Sequence, residues 1–192
     1  MACLPILGRR TKIPNSQTLY RAFMLPGGDL GATTVEKQFP NGRATPLLLQ
    51  LPSNNSLANK SFAIHQCGRV STSANLTFII NLYFGLDPII SHNTLIWTAG
   101  PQQVNNKSSN FDLWLKLYWD SVSQTITGQG DGQVANNIVG PSTLINIPSA
   151  DPNRDSNSFL QSGPTYGFTI TGTFSGGGTN HAFIDELALE SL

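Results

Sequence analysis

The ten residues Thr125–Val134 (TITGQGDGQV) place Gly128, Gly130 and Gly132 at alternate positions, a glycine density that phosphate-cradling loops also use. Such a loop needs its glycines where a strand turns into a helix, so that the N–H groups of the helix N-terminus meet the anion. This stretch has neither G-x-G-x-x-G spacing nor a Lys-Ser/Thr pair, and it runs on into Ala-Asn-Asn-Ile-Val-Gly-Pro, which reads as a turn. As a strand, it sets Ile126, the three glycines and Val134 on one face and Thr125, Thr127, Gln129, Asp131 and Gln133 on the other. Three positions without side chains leave a groove, which Trp114, Tyr118 or Trp119 is expected to fill. The stretch is predicted to be a packing device.

Other residues able to do chemistry are few. His65, His92 and His181 form no H-x-x-x-H or H-E-x-x-H pattern, and Cys3 and Cys67 are isolated, so no metal site and no disulfide framework are expected. His65, Cys67 and Arg69 would share a strand face, but a nucleophile also needs an orienting partner and an oxyanion donor, and the sequence names neither. Asp112 and Asp120 bracket a strand and would lie about 27 Å apart, well beyond the roughly 5–9.5 Å of a glycosidase pair. Asp185 and Glu186 are adjacent and should point to opposite faces. Residues Asp151, Asn153, Asp155 and Asn157 space oxygen side chains as a calcium loop begins. Ser156 and Ser162 stand where the glycine and the bidentate acid belong, so a loop of Asx turns is expected instead. Trp114 and Tyr118 flank Lys116 on a polar strand face, an arrangement that could form a flat sugar platform or be covered by a neighbouring layer or subunit.

The elements that would carry these residues are strands. In residues 75–85 Leu76, Phe78, Ile80, Leu82 and Phe84 alternate with polar or outward positions. Phe111, Leu113, Leu115, Leu117 and Trp119 do so in 111–119, and Tyr166, Phe168, Ile170 and Phe174 in 166–174. Period-two alternation over eight or more residues predicts half-buried strands. Residues 45–51, 62–70, 93–99, 125–134 and 144–147 are weaker candidates, and 181–192 fits a last strand, though Phe183, Leu187 and Glu190 could also mark one helical turn. Turns are expected at 86–88, 100–110, 136–141 and 175–180. The fold predicted is all-β, an antiparallel β-sandwich of jelly-roll type over 61–192, preceded by an extended N-terminal arm with short strands over 1–60.

The bulk numbers agree with that reading. Charged residues make up 11% of the 192, and Asn, Ser, Thr, Gln and Gly take their place, where soluble domains average roughly 25%. Residues 1–43 hold six basic side chains (Arg9, Arg10, Lys12, Arg21, Lys37, Arg43) against two acids, and the remainder five against nine. A basic leading segment on an acidic body needs a partner, or takes the body as one. Four basic residues over positions 9–21 are thin for nucleic acid, which is not expected as a partner. No stretch is long and apolar enough for a membrane helix. The opening MACLPILGRR lacks a charged n-region and is broken by Pro5, so no signal peptide is expected.

The succession FAIHQCGRVSTSANLTFIINLYFG, FDLWLKLYW, TITGQGDGQV, YGFTITGTF and AFIDELALESL resembles the single jelly-roll domains of tailed-bacteriophage capsid decoration (cement) and fibre proteins. The resemblance covers about two-thirds of the chain and brings no catalytic residues and no cofactor. It implies a non-enzymatic virion protein on the capsid surface, assembled in the host cytoplasm, that binds the major capsid protein and itself as a trimer or dimer. Leu4, Ile6, Leu7, Arg9, Arg10, Lys12 and Ile13 would form the docking segment: extended by prolines, apolar enough for a groove and basic enough for an acidic surface. The alternative reading is a receptor- or glycan-binding module of a phage fibre, with Trp114 and Tyr118 as its platform.

Overall fold

The computed structural model describes residues 17–23, 28–40, 48–50, 61–85, 90–105, 108–120, 125–135, 137–143 and 167–191. In chain order these form β1 (Gln17–Phe23), β2 (Lys37–Gln38), β3 (Leu48–Gln50), β4 (Ser61–Ser71), β5 (Asn75–Gly85), a 3-10 turn (Ile90–His92), β6 (Thr94–Asn105), β7 (Ser108–Asp120), β8 (Thr125–Val134), β9 (Asn137–Thr143), β10 (Gly167–Phe174) and β11 (His181–Ser191). They build two antiparallel sheets, β1-β11-β4-β7-β8-β9 and β2-β10-β5-β6, with β3 also pairing β10. The chain is an all-β antiparallel sandwich, as its alternation predicts.

Four strand pairs nest within one another along the sequence. β5 pairs β6, β4 pairs β7 around them, β2 pairs β10 outside those, and β1 pairs β11 outermost. Alternate pairs fall in opposite layers, so the ribbon winds across both sheets. The β8–β9 hairpin extends the six-stranded sheet beyond β7.

Between the layers lie the side chains that the alternation turns inward. Phe78, Ile80, Leu82 and Phe84 of β5, Phe111, Leu113, Leu115 and Leu117 of β7, and Phe168, Ile170 and Phe174 of β10 are all buried. Each such side chain contributes about 1.5–3 kcal/mol relative to exposure. The glycine strand forms as predicted, but its groove is filled from the other layer. A Cβ on Gly130 would lie 2.3 Å from the Trp97 indole of β6. Trp114 and Tyr118 stand on the opposite face of the sheet, because directly paired residues on neighbouring strands face the same side, and Leu115, not Trp114, is opposite Gly130.

The expected boundary at residue 60 does not divide the described fold. β1 pairs β11, and β2 and β3 pair β10. Residues 28–40 close one side of the sandwich: the Leu30 N–H donates to Ala182 O (2.8 Å) in one layer and the Phe39 N–H to Ile170 O (3.0 Å) in the other. Leu30 and Phe39 are fully buried, and Gly172 supplies the room, since a Cβ there would meet both side chains and Phe78. Apolar residues sparse along a proline-rich segment carry no periodicity, which is why the reading by alternation treats this segment as an arm.

Two expected turns are strand. Residues 100–105 continue β6 past Gly100 and Pro101, which lie opposite Ile79 at a bulge between Phe78 and Ile80. A bulge tolerates a residue without an N–H. Residues 137–143 form β9, and the 144–147 candidate lies outside the described residues.

Candidate functional site

Among the described residues, the outward face of the six-stranded sheet gathers several charged and aromatic side chains. β4 turns Ala63, His65, Cys67 and Arg69 outward, in register with Lys116, Trp114, Asp112 and Asn110 of β7. His65 is only 2% exposed. Its Nε2 lies 2.7 Å from Asp112 Oδ1, and Nδ1 lies 3.8 Å from Glu186 Oε1. A carboxylate only accepts, so Nε2 carries the proton it donates to Asp112. The imidazole also stacks on the Trp114 indole, with centroids 4.1 Å apart and planes 14° from parallel. Ring, carboxylate and indole tie β4 to β7 at mid-sheet.

Arg69 makes the second tie. Its Nε and Nη2 donate to Asp185 Oδ2 and Oδ1, both at 2.8 Å, and its guanidinium lies 4.9 Å from the Phe183 ring centroid. This bidentate pair exists because β11 shifts register between Ile184 and Glu186. The extra residue breaks the period-two rule, so Asp185 reaches Arg69 while Glu186 approaches His65, both on the outward side. The expectation that the two acids point to opposite faces is corrected by that bulge.

The other described histidine side chain is at the far end of the sheet. His181 Nδ1 lies 2.7 Å from Asp29 Oδ2, while Asp29 Oδ1 accepts from the Gly31 and Ala182 N–H groups at 2.9 and 3.3 Å. The carboxylate thus fastens residues 28–40 to β11.

On the outward face of the other sheet, Glu36 accepts hydrogen bonds from Asn81 Nδ2 (2.7 Å), the Tyr83 hydroxyl (2.9 Å) and the Thr171 hydroxyl. Burial, the hydrogen bond to Glu36 and the charge of Glu36 push the Tyr83 hydroxyl up from 10.0 to about 12. A group whose folded-state pKa is raised contributes stability fully below its unfolded value and loses it as pH climbs through the folded one. Wild type should therefore lose stability relative to Tyr83→Phe between about pH 10 and pH 12. Denaturant midpoints of both proteins at either end of that window check this, and a constant difference would refute it.

The residues singled out from sequence distribute as follows. Leu4, Ile6, Leu7, Arg9, Arg10, Lys12 and Ile13, and the oxygen-rich run 151–157, lie outside the described residues. Trp114 is half-buried and Tyr118 is 42% exposed, on the same face of β7. Among the described residues no group of three or more His, Cys, Asp or Glu side chains could hold a metal ion. His65, Cys67 and Arg69 do share a face. The sequence reading pairs Asp112 with Asp120 and misses Asp112 as the partner of His65, because only the β4–β7 register reveals that pairing. Glu36 is missed for the same reason, since its three donors come from two other strands. The site's chemistry is cohesive: its charged and aromatic side chains mostly engage one another.

A scan against protein families finds no match to this sequence, and a search of curated proteins finds none. Among solved structures, the CBM2 module of the evolved Dit of Lactobacillus casei BL23 phage J-1 overlaps with a TM-score of 0.40 and 13% identity, over 91% of this chain and 95% of that one. The infectious bursal disease virus VP2 subviral particle overlaps at 0.38 and 13% identity, over 97% of this chain and 37% of that one. The Gx strain of the same virus overlaps at 0.39 and 12%, over 98% and 38%. Overlaps this shallow bear on neither ancestry nor function.

Proposed function

We propose that the chain is a non-enzymatic virion structural protein, a jelly-roll decoration protein that docks on the major capsid protein through the segment ahead of β1 and stabilises the shell. The observation that carries the reading is the place where that segment leaves the fold. Gln17, the first described residue, pairs with Ser191 at the edge of the six-stranded sheet, so a docking segment joined there would hold the sandwich by one edge. Three further features support it. The nested strand pairs wind as a jelly roll's do. The charged side chains described on the sheet faces mostly hold strands together. The leading segment is basic and apolar and carries Pro5 and Pro14, a composition suited to a groove with an acidic rim. A protein that binds only the assembled shell shifts the equilibrium toward assembly by mass action.

The test is deletion of residues 1–16, which leaves β1 whole. The truncated protein should keep its melting temperature and lose co-sedimentation with assembled shells. Full attachment after truncation would overturn the docking role.

A further inference from the structure

We propose that in the free protein residues 1–16 fold back onto the outward face of the six-stranded sheet, and leave it only when a shell competes for them. The fold-back stands independently of the docking reading; only the release rests on it.

Charge is divided unequally between the two layers. The strands of the six-stranded sheet carry six acids (Asp112, Asp120, Asp131, Asp185, Glu186 and Glu190) against three bases (Arg21, Arg69 and Lys116), a net charge of −3 with histidines neutral. The strands of the other sheet carry Lys37 as their only charged residue. Residues 1–16 hold Arg9, Arg10 and Lys12 and no acid, a net charge of +3. This balance does not depend on any carboxylate lacking a partner. Arg69 and Asp185 cancel, and Asp112 and Glu186 share the single imidazole of His65, so negative charge remains there in either state of the ring. Asp131 is exposed and Glu190 half-buried on the same outward side.

The segment also has the reach. It joins the sheet at Gln17, which pairs with Ser191. Counted along the register from there, Glu190 is on the adjoining strand, Glu186 about 17 Å away, and Asp112 and Asp131 about 22 Å away. Lys12 lies five residues ahead of Gln17 and Arg9 eight, spans of about 17 and 27 Å when extended. Tethering at the edge of the face gives the segment an effective concentration of about 1 mM, roughly a thousandfold above a second copy at micromolar concentration. The occupant is therefore the chain's own segment. Exposed charge pairs are individually weak and screened by salt, so a shell site that binds the segment more tightly displaces it.

A nitroxide on Cys3 of the full chain tests the fold-back, since Cys67 is buried and escapes the label. At low salt it should broaden the amide signals of β7, β8 and β11 more than those of β5, β6 and β10. Raising salt to about 0.5 M should cut that broadening about threefold or more. The charge reversal Asp131→Lys with Glu190→Lys should do the same at low salt, and Asp131→Lys alone, at an exposed position, serves where the pair fails to fold. Equal broadening of both sheets, or broadening indifferent to salt and to charge reversal, would overturn the fold-back. So would broadening that arises only between copies, read by mixing nitroxide-bearing protein with isotope-labelled Cys3→Ser. Charge-reversed protein should attach to shells about threefold more tightly than wild type; equal attachment would overturn the release. Where neither protein attaches, the docking reading fails and the spectra alone decide the fold-back.

Discussion

Gly130→Val is expected to cost about 3 kcal/mol, at the upper end of what overpacking a core does, and against a typical total of about 5–15 kcal/mol it should shift the unfolding midpoint strongly. Gly130 lies opposite Leu115 at the middle of β8, and any Cβ there would sit 2.3 Å from Trp97 Cε2 and Nε1. Trp97 is 3% exposed and enclosed by the core, so its ring has no open side to retreat to. The effect should be local to this pair. Replacing Trp97 by Leu leaves a cavity and destabilises alone, but combined with Gly130→Val it should recover part of the loss, because the added methyls take up vacated volume. Denaturant melts of the two single variants and the double variant decide it. Simple additivity would show that the indole does not fill the glycine groove.

His65→Ala should have the next largest effect, also about 3 kcal/mol. It removes a buried ring, leaving a gap beneath Trp114, and takes away the donor to Asp112; a stacked pair contributes about 0.5–1.5 kcal/mol and a hydrogen bond to a charged group about 1.5–3 kcal/mol. Asp112→Ala should cost about 2 kcal/mol, since it removes the acceptor 2.7 Å from a nitrogen in a side chain that is 3% exposed. Because the two substitutions delete the same interaction, the double variant should be more stable than the sum of the singles implies, by about 1 kcal/mol or more. The near-ultraviolet dichroism of Trp114 gives a second readout. It should fall in His65→Ala, whose indole has lost its stacking partner, and persist largely in His65→Phe, which keeps a ring beneath it. Independent, additive losses would mean that the pair does not tie β4 to β7.

Both predictions concern contacts that alternation cannot reveal. Period two puts Asp112 on the outward face of a strongly alternating strand and His65 on one face of the weaker 62–70 candidate, beside Cys67 and Arg69. It cannot say that they meet, since 47 residues separate them and only the β4–β7 register brings them together. Asp185 is harder still. Its partner Arg69 is 116 residues away, and the bulge beside Asp185 reverses the facing that local alternation assigns. Leu30 and Phe39 belong to no periodic run, yet both are fully buried between the layers.

The amino-acid sequence by itself determined that this protein is built of strands, which residues of β5, β7 and β10 face inward, and that the glycine run is a strand and not an anion loop. Those properties follow from side-chain direction along an extended backbone, which each residue inherits from its immediate neighbours. Only the tertiary structure decided that Trp97, from the facing layer, fills the glycine groove, that residues 28–40 close the sandwich, and that His65, Asp112 and Trp114 form one cluster. Each of these depends on which strands pair, in which register and across which layer. That choice is made by the packing of distant segments against one another, and no local pattern encodes it.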